Sequence, residues 1–415
     1  MAIGDSNPKR LNTGGTKAAD GDVGRPPRIA HLQHPYIPGL GYQENYLPAA
    51  QHNHGATVLT LTSDEVPKKF EDIVNEEVTT GVYEYNGVKT RRLESWFEVD
   101  LLGDVALRGV TEALDEFDPD LIHAHGLLSP RTLQAMRYAE RNDVALFVDV
   151  HIDNDNFNVD SLAKQAGFEA FRHVVLPRLI DRSEAFLPVN PLSVSFLENL
   201  GVPAEKIRLL PLGVDMTTFS PDPDRRAEVR ADLGVGDDFL LVTAGNLEPT
   251  KDIEVLIDAL NRIIDAHANT TLFIVGDGEI EYTDSLRTRV ASAGLGAHVR
   301  FIKAVPREKL AALYNAADVG VWPGKLGMAI IEAIGTGLPI IVCDSPATSF
   351  LTKRDNGRSF PRGDDEALAD RVIDYAEQPK QRARDGLAAA TYAREELAWS
   401  EIGADSIEIY REALE

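Results

Sequence analysis

Few residues in this chain have the type and setting to do chemistry. Glu332 is the sole charge in the apolar run Leu326–Ile334. An isolated carboxylate among apolar neighbours is costly unless a protein group or a ligand meets it. Gly327 stands near the start of that run, and a helix beginning there would offer unpaired N–H groups to a phosphate. Glu332 lies five positions on, about 7.5 Å along a helix axis, which suits the span from a diphosphate to the hydroxyls of a ribose. The competing reading is a core helix in which neighbouring N–H groups satisfy Glu332, and spacing does not separate the two. Lys251 follows an apolar stretch and the turn N-L-E-P-T. At a strand-to-helix junction a cation adds to backbone N–H groups in holding a phosphate.

Two further clusters carry imidazoles. D-L-I-H-A-H-G places His123 and His125 at the end of a short apolar run, and V-D-V-H-I-D-N-D does the same for Asp149 and His151. His–Asp mixtures at strand ends hold a metal or, more commonly, form hydrogen-bonded pocket walls. The wall is the expected state, and no metal is expected. G-L-G-Y-Q-E-N-Y-L-P brings Gly41, Tyr42 and Gln43 into a glycine-containing loop that turns into a helix. It lacks the G-x-G-x-x-G fingerprint, so it suits a phosphate or a sugar better than a dinucleotide.

The elements that must position these groups follow one grammar. Short apolar runs at 28–32, 56–61, 185–189, 239–244, 271–275, 298–302, 319–322 and 339–343 read as strands. Periodic stretches at 191–200, 253–264, 306–317, 326–334 and from Trp399 read as helices. Alternation of this kind implies parallel sheets covered on both faces. Ligands then gather at the carboxyl edges of the strands. At 415 residues the chain exceeds one ordinary core, so two Rossmann-like domains with a cleft between them are expected. The Pro/Asp-rich stretch Ser220–Asp224 reads as the linker. Residues 1–26 read as a flexible tail, 27–215 as the first domain, 225–395 as the second, and 396–415 as a final helix.

Composition narrows the function classes. With 66 acidic and 42 basic residues the net charge is −24 and the isoelectric point near 4.8. Such a surface repels nucleic acid and argues against simple electrostatic docking on anionic lipid, while an apolar peripheral contact stays open. It also accords with life in high salt. One cysteine, Cys343, excludes a disulfide framework and a cysteine-based metal site. No apolar run is long enough to span a membrane and no hydrophobic signal core opens the chain, so a cytoplasmic protein is expected, with the inner membrane face as an alternative location.

I-R-L-L-P-L-G-V-D-M-T-T-F-S-P at 207–221, A-G-N-L-E-P-T-K-D at 244–252, I-V-G-D-G at 274–278 and G-M-A-I-I-E-A-I-G-T-G-L-P-I-I at 327–341 together resemble the retaining glycosyltransferases of family four. The loop at 39–48 and the strand end at 120–126 are similar to that family's acceptor-side half. The resemblance implies the GT-B fold, an α/β architecture of two Rossmann-like domains with parallel sheets facing across a cleft, and a last helix crossing back to the first. It also implies a nucleoside diphosphate sugar as donor, a glycan, lipid-linked or similar acceptor, and catalysis without metal or cofactor. Carried over, Glu332 matches the residue on the ribose, Lys251 that on the diphosphate, Gly41 the loop glycine closing over it, and His125 the histidine near the transferred sugar. Asn246, Gly276, Gly324 and Gly327 fall on the donor side, and Tyr42, Gln43 and His151 on the acceptor side. Two positions depart from the pattern. The partner of the usual Glu-x7-Glu pair is Gly324, and Asn246 stands where arginine is usual. Lys325 is the nearest substitute cation. A non-catalytic nucleotide-sugar-binding subunit is the alternative these departures raise, and an epimerase on the same fold lacks identifiable catalytic acids.

Overall fold

The computed structural model describes residues 25–67, 78–99, 104–155, 157 and 161–414. The expected tail, up to residue 24, lies outside the described residues. The chain divides into two units, one comprising Met1–Pro211 with Ile402–Glu415 and the other Leu212–Glu401.

The first unit is built on β1 (Arg28–Leu32), β2 (Thr57–Ser63), β3 (Gly81–Tyr85), β4 (Val88–Leu93), β7 (Leu121–His125), β8 (Ala145–Val150) and β9 (Ala185–Pro188), in the order β3-β4-β2-β1-β7-β8-β9. A separate antiparallel ribbon pairs β5 (Ser95–Val99) with β6 (Asp104–Leu107). All neighbours in the large sheet are parallel except β3 and β4, a hairpin at its edge. The central strands are buried on both faces, which is why they read as continuous apolar runs.

The second unit holds a fully parallel sheet of β10 (Phe239–Ala244), β11 (Thr270–Val275), β12 (Val299–Ile302), β13 (Val319–Trp322), β14 (Ile340–Cys343) and β15 (Gly357–Phe360), in the order β12-β11-β10-β13-β14-β15. Two apolar clusters cover its faces. The helix Ile253–Ala266 buries Ile253, Leu256, Ile257, Leu260 and Ile263 at helical spacing. The helix Met328–Gly335 is buried almost all round, as its composition requires.

The stretch Ser220–Asp224, expected as a linker, lies inside the second unit, and the division falls between Pro211 and Leu212. The reason is local bonding. Asp222 caps the helix Pro223–Leu233, its N–H donates to Asn315 Oδ1 at 2.7 Å, and Asn315 Nδ2 donates to the Ser220 carbonyl at 3.0 Å. Residues 212–215, assigned on sequence to the first domain, also join the second, where Val214 N–H donates to the Leu397 carbonyl and Trp399 N–H to that of Val214. Edge strands β3 and β4, the ribbon and the helices between 365 and 392 escaped the sequence reading.

Candidate functional site

In the second unit the loops after the adjacent strands β11, β10 and β13 gather at one carboxyl edge, and backbone packs directly on backbone there. A Cβ on Gly276 would stand 1.9 Å from the Gly245 carbonyl oxygen, and one on Gly278 1.9 Å from that of Leu247. Only glycine permits such approach. Trp322 Nε1 donates to the Ala244 carbonyl at 2.9 Å and ties the bases of two loops together. Asn246 is exposed at this rim and lines a small cavity with Lys251, Gly324 and Lys325.

Lys251 ends a single tight turn, Pro249–Lys251, just before the helix Ile253–Ala266. Its ammonium donates to the carbonyls of Lys325 at 3.1 Å and Leu326 at 3.2 Å, next to Gly327, the residue that starts the helix Met328–Gly335. Burial lowers its affinity for a proton, Glu248 opposes this, and the charge of Lys325 adds to it. The structure thus brings Lys251, Lys325, Gly324 and Gly327 together around one helix N-terminus, a setting favourable to an anion. Gly324 N-terminal to that helix is pressed against the Lys251 turn: a Cβ there would lie 2.4 Å from Lys251 C and from the Thr250 carbonyl oxygen. Lys325 N–H donates to the same carbonyl at 2.9 Å.

Glu332 is buried, and Arg307 Nη1 donates to its Oε1 at 2.8 Å. Burial raises the carboxyl and the Arg307 charge pulls it back, with Asp215 opposing. Sequence reading missed Arg307, which stands over the Phe219 ring at 4.9 Å. Nothing in the sequence marks this pairing across the fold. Arg307→Met should leave Glu332 charged only at higher pH. We expect nucleotide affinity to drop about tenfold, the scale of one charge-assisted bond, and its loss on acidification to begin at a higher pH than in the wild type. Calorimetric titrations across pH 5–8 check this, and an unchanged pH profile would detach Arg307 from the site.

In the first unit the ends of neighbouring β1, β7 and β8 form a second cluster. Register places His31 opposite His123 and His125 opposite Asp149. His31, His123 and His125 are buried and bring three ring nitrogens within 4.8 Å of one another. Each ring is engaged through at least one nitrogen: His31 Nδ1 with His125 Nε2 at 2.9 Å, His31 Nε2 with Gln51 at 2.7 Å, and His123 Nδ1 with Tyr410 at 2.5 Å. Asp149 Oδ2 lies 3.0 Å from His125 Nδ1 and 3.2 Å from His151 Nε2. Among the described residues neither His125 Nδ1 nor His123 Nε2 has an aligned hydrogen-bond partner. His151 is the accessible member, its side chain 38% exposed against 4% for His125. Burial works against charging His151, but the Asp149 carboxylate, with Glu44 beyond it, pushes it up to about 9.

The glycine loop precedes this cluster. Gly41 has φ 77°, a left-handed turn that launches the helix Gln43–Asn53. Tyr42 is 42% exposed. Gln43 is only 2% exposed, yet neither amide atom has a hydrogen-bond partner among the described residues. A buried amide left so costs stability unless something else answers it.

Comparisons accord with this geometry. The family model described as glycosyl transferases group 1 matches residues 225–391, and that of the glycosyl transferase 4-like domain matches 39–213. The GDP-mannose-dependent alpha-(1-6)-phosphatidylinositol monomannoside mannosyltransferase of Mycolicibacterium smegmatis is 31% identical over 218 residues, half of this chain and 56% of that protein. A D-inositol 3-phosphate glycosyltransferase of Jonesia denitrificans is 27% identical over 70% of this chain and 71% of its own length. The chain thus spans about half the length of the first curated relatives it matches. Among solved structures, Anabaena Alr3699/HepE in complex with UDP superposes with a TM-score of 0.72 at 18% identity, over 93% of this chain and all of that one. Sucrose-phosphate synthase from Thermosynechococcus elongatus gives 0.71 at 20%, over 94% and 99%. Two sheets of Rossmann type, a family match in each unit and structural neighbours along nearly the whole chain place this protein among the GT4-type glycosyltransferases of the GT-B fold.

Proposed function

We propose that this protein is a retaining glycosyltransferase that moves a sugar from a nucleoside diphosphate donor to a hydroxyl of a glycan, lipid-linked or similar acceptor. The observation that carries the reading is the second unit's cradle, where Lys251 bridges two carbonyls beside a helix N-terminus that Glu332 follows. In this reading the diphosphate rests on Gly327 and the N–H groups behind it, with Lys251 and Lys325 supplying charge. Glu332 takes the ribose hydroxyls. Negative charge that develops on the leaving phosphate meets fixed dipoles and cations, which is the larger part of catalysis of this kind and calls for no metal.

On the first unit, His151 is a stronger candidate than His125 for the imidazole offered to substrate, because His125 turns both ring nitrogens inward. Gln43, with its unanswered amide, and Tyr42 serve the acceptor side. Among the described residues no helix is long and apolar enough to cross a membrane. We propose action at the cytoplasmic side, with peripheral contact where the acceptor is lipid-linked. Departure from the family pattern at Gly324 and Asn246 sustains the second reading, a nucleotide-sugar binder without transfer.

The test is a thermal-shift screen of GDP-mannose, UDP-glucose, ADP-glucose and a TDP-sugar in high salt, on wild type and Glu332→Ala. The relatives make GDP-mannose the first donor to try. Ligand at a hundred times its Kd adds about 2.7 kcal/mol, so one donor should raise the melting temperature by several degrees and the variant should lose most of that rise. Slow donor hydrolysis without acceptor then separates an enzyme from a binder, and the anomeric configuration of product tests retention. No shift with any donor would sink the reading.

A further inference from the structure

The histidine cluster is ordered atom by atom from the helix Trp399–Leu414 inward. Ser406 Oγ donates to the Gly403 carbonyl at 2.7 Å, so it accepts from Gln51 Nε2 at 2.9 Å. The second amide hydrogen of Gln51 goes to Tyr410 Oη at 3.0 Å, which leaves Oε1 to accept from His31 Nε2 at 2.7 Å. Burial and the neighbouring histidines hold His31 well below its ordinary range. It is neutral, its Nδ1 is bare, and the hydrogen shared with His125 at 2.9 Å belongs to His125 Nε2. Tyr410, having accepted from Gln51, donates to His123 Nδ1 at 2.5 Å. Burial above all pushes His123 down to about 4. Its hydrogen therefore sits on Nε2, 3.7 Å from Asp149 Oδ2. The order follows from the donor and acceptor capacity of each group.

The Tyr410 branch ends at one carboxylate, and the Gln51 branch ends at His125 Nε2, whose other ring nitrogen lies 3.0 Å from the same carboxylate. Asp149 is fully buried, and its Oδ1 accepts from the Gly126 N–H at 3.1 Å. Burial alone would neutralise it, but His125, His151 and the ring of His123 hold it well below the usual carboxylate range. Among the described residues Glu44, on the helix Gln43–Asn53, also acts on His151 and favours its charge.

We propose that Asp149 is a positioning residue that keeps His151 charged toward substrate, and that Tyr410, itself held by Gln51, supports Asp149 in that task by setting the hydrogen on His123. The proposal rests on the reading of His151 as a substrate-facing group. An imidazolium there offers a donor to developing or resident negative charge throughout neutral pH, where an ordinary histidine would be mostly neutral.

Ring-nitrogen NMR of the whole protein from pH 5 to 10 tests it, together with the pH profile of kcat/KM. The wild type should show His151 titrating near 9, with His31 and His123 each neutral and carrying hydrogen on Nε2. Asp149→Asn should move the His151 midpoint to its ordinary 6.5 or below. Tyr410→Phe should abolish the fixed tautomer of His123 and lower the His151 midpoint by a smaller step. In each case the alkaline limb of kcat/KM should move with the midpoint. A folded Asp149→Asn protein whose His151 still titrates near 9, or a wild type in which it titrates at 6.5, overturns the proposal. So does Tyr410→Phe with the His123 tautomer intact. Midpoints that move while the alkaline limb stays would uphold the positioning and remove His151 from the transfer reaction, so the two readings fail separately.

Discussion

Gly324→Glu destabilises the second unit and abolishes nucleotide binding instead of restoring the family's pair of glutamates. The first side-chain carbon is enough to cause it, because a Cβ at 324 would meet Lys251 C and the Thr250 carbonyl oxygen at 2.4 Å and Lys251 Cα at 2.7 Å. These are backbone atoms of a tight turn, and they have no rotamer to change. Cys343 Sγ donates to the Gly324 carbonyl at 3.1 Å, so the loop is also held from its other side. Overpacking of this sort costs about 1–3 kcal/mol, and at the upper end that lowers the melting temperature by about 6–12 °C for a domain of this size. Gly324→Ala should show most of the same loss. An alanine variant that melts with the wild type, or a glutamate variant with faster transfer, would overturn this account.

Lys251→Met should lower kcat/KM by about 10²–10³, the range seen when one fixed donor to developing charge is removed. Two effects add here. The diphosphate loses a cation, and the carbonyls of Lys325 and Leu326 lose the donor that fixes them at 3.1 and 3.2 Å. Lys251→Arg should not rescue, because a planar fork cannot replace a compact ammonium aimed at two adjacent carbonyls. Calorimetry separates the effects: nucleoside diphosphate should lose far more affinity than the nucleoside. Equal affinity of wild type and variant for the diphosphate would exclude Lys251 from that site.

The second unit was legible because its signals are local. Doubly covered parallel strands read as continuous apolar runs, and a single charge in such a run, Glu332, stands out. The glycines at 276, 324 and 327 sit beside those strand ends and mark close approach. What escaped depends on distance along the chain. Arg307 reaches Glu332 from another helix, and Tyr410 reaches His123 across 287 positions. No periodicity encodes either contact. The sequence pattern likewise marks His125 and His151 alike as histidines at strand ends, and only the packing of His31 against His125 turns one inward. At Gly324 the pattern registers a missing acid, whereas the steric cause lies in a turn some seventy residues earlier.

The first unit is discontinuous, since Ile402–Glu415 supply Ser406 and Tyr410 to a body otherwise finished by Pro211. Domains fold as units while synthesis proceeds. Here the later-translated body is contiguous from Leu212 to Glu401 and can close as soon as it leaves the ribosome. The earlier one must wait, with Gln51 Nε2 and His123 Nδ1 unanswered, until Ile402–Glu415 emerge. Translation order and folding order are therefore reversed, and a nascent chain stalled before Ile402 would carry an unfinished amino-terminal half for chaperones to shield.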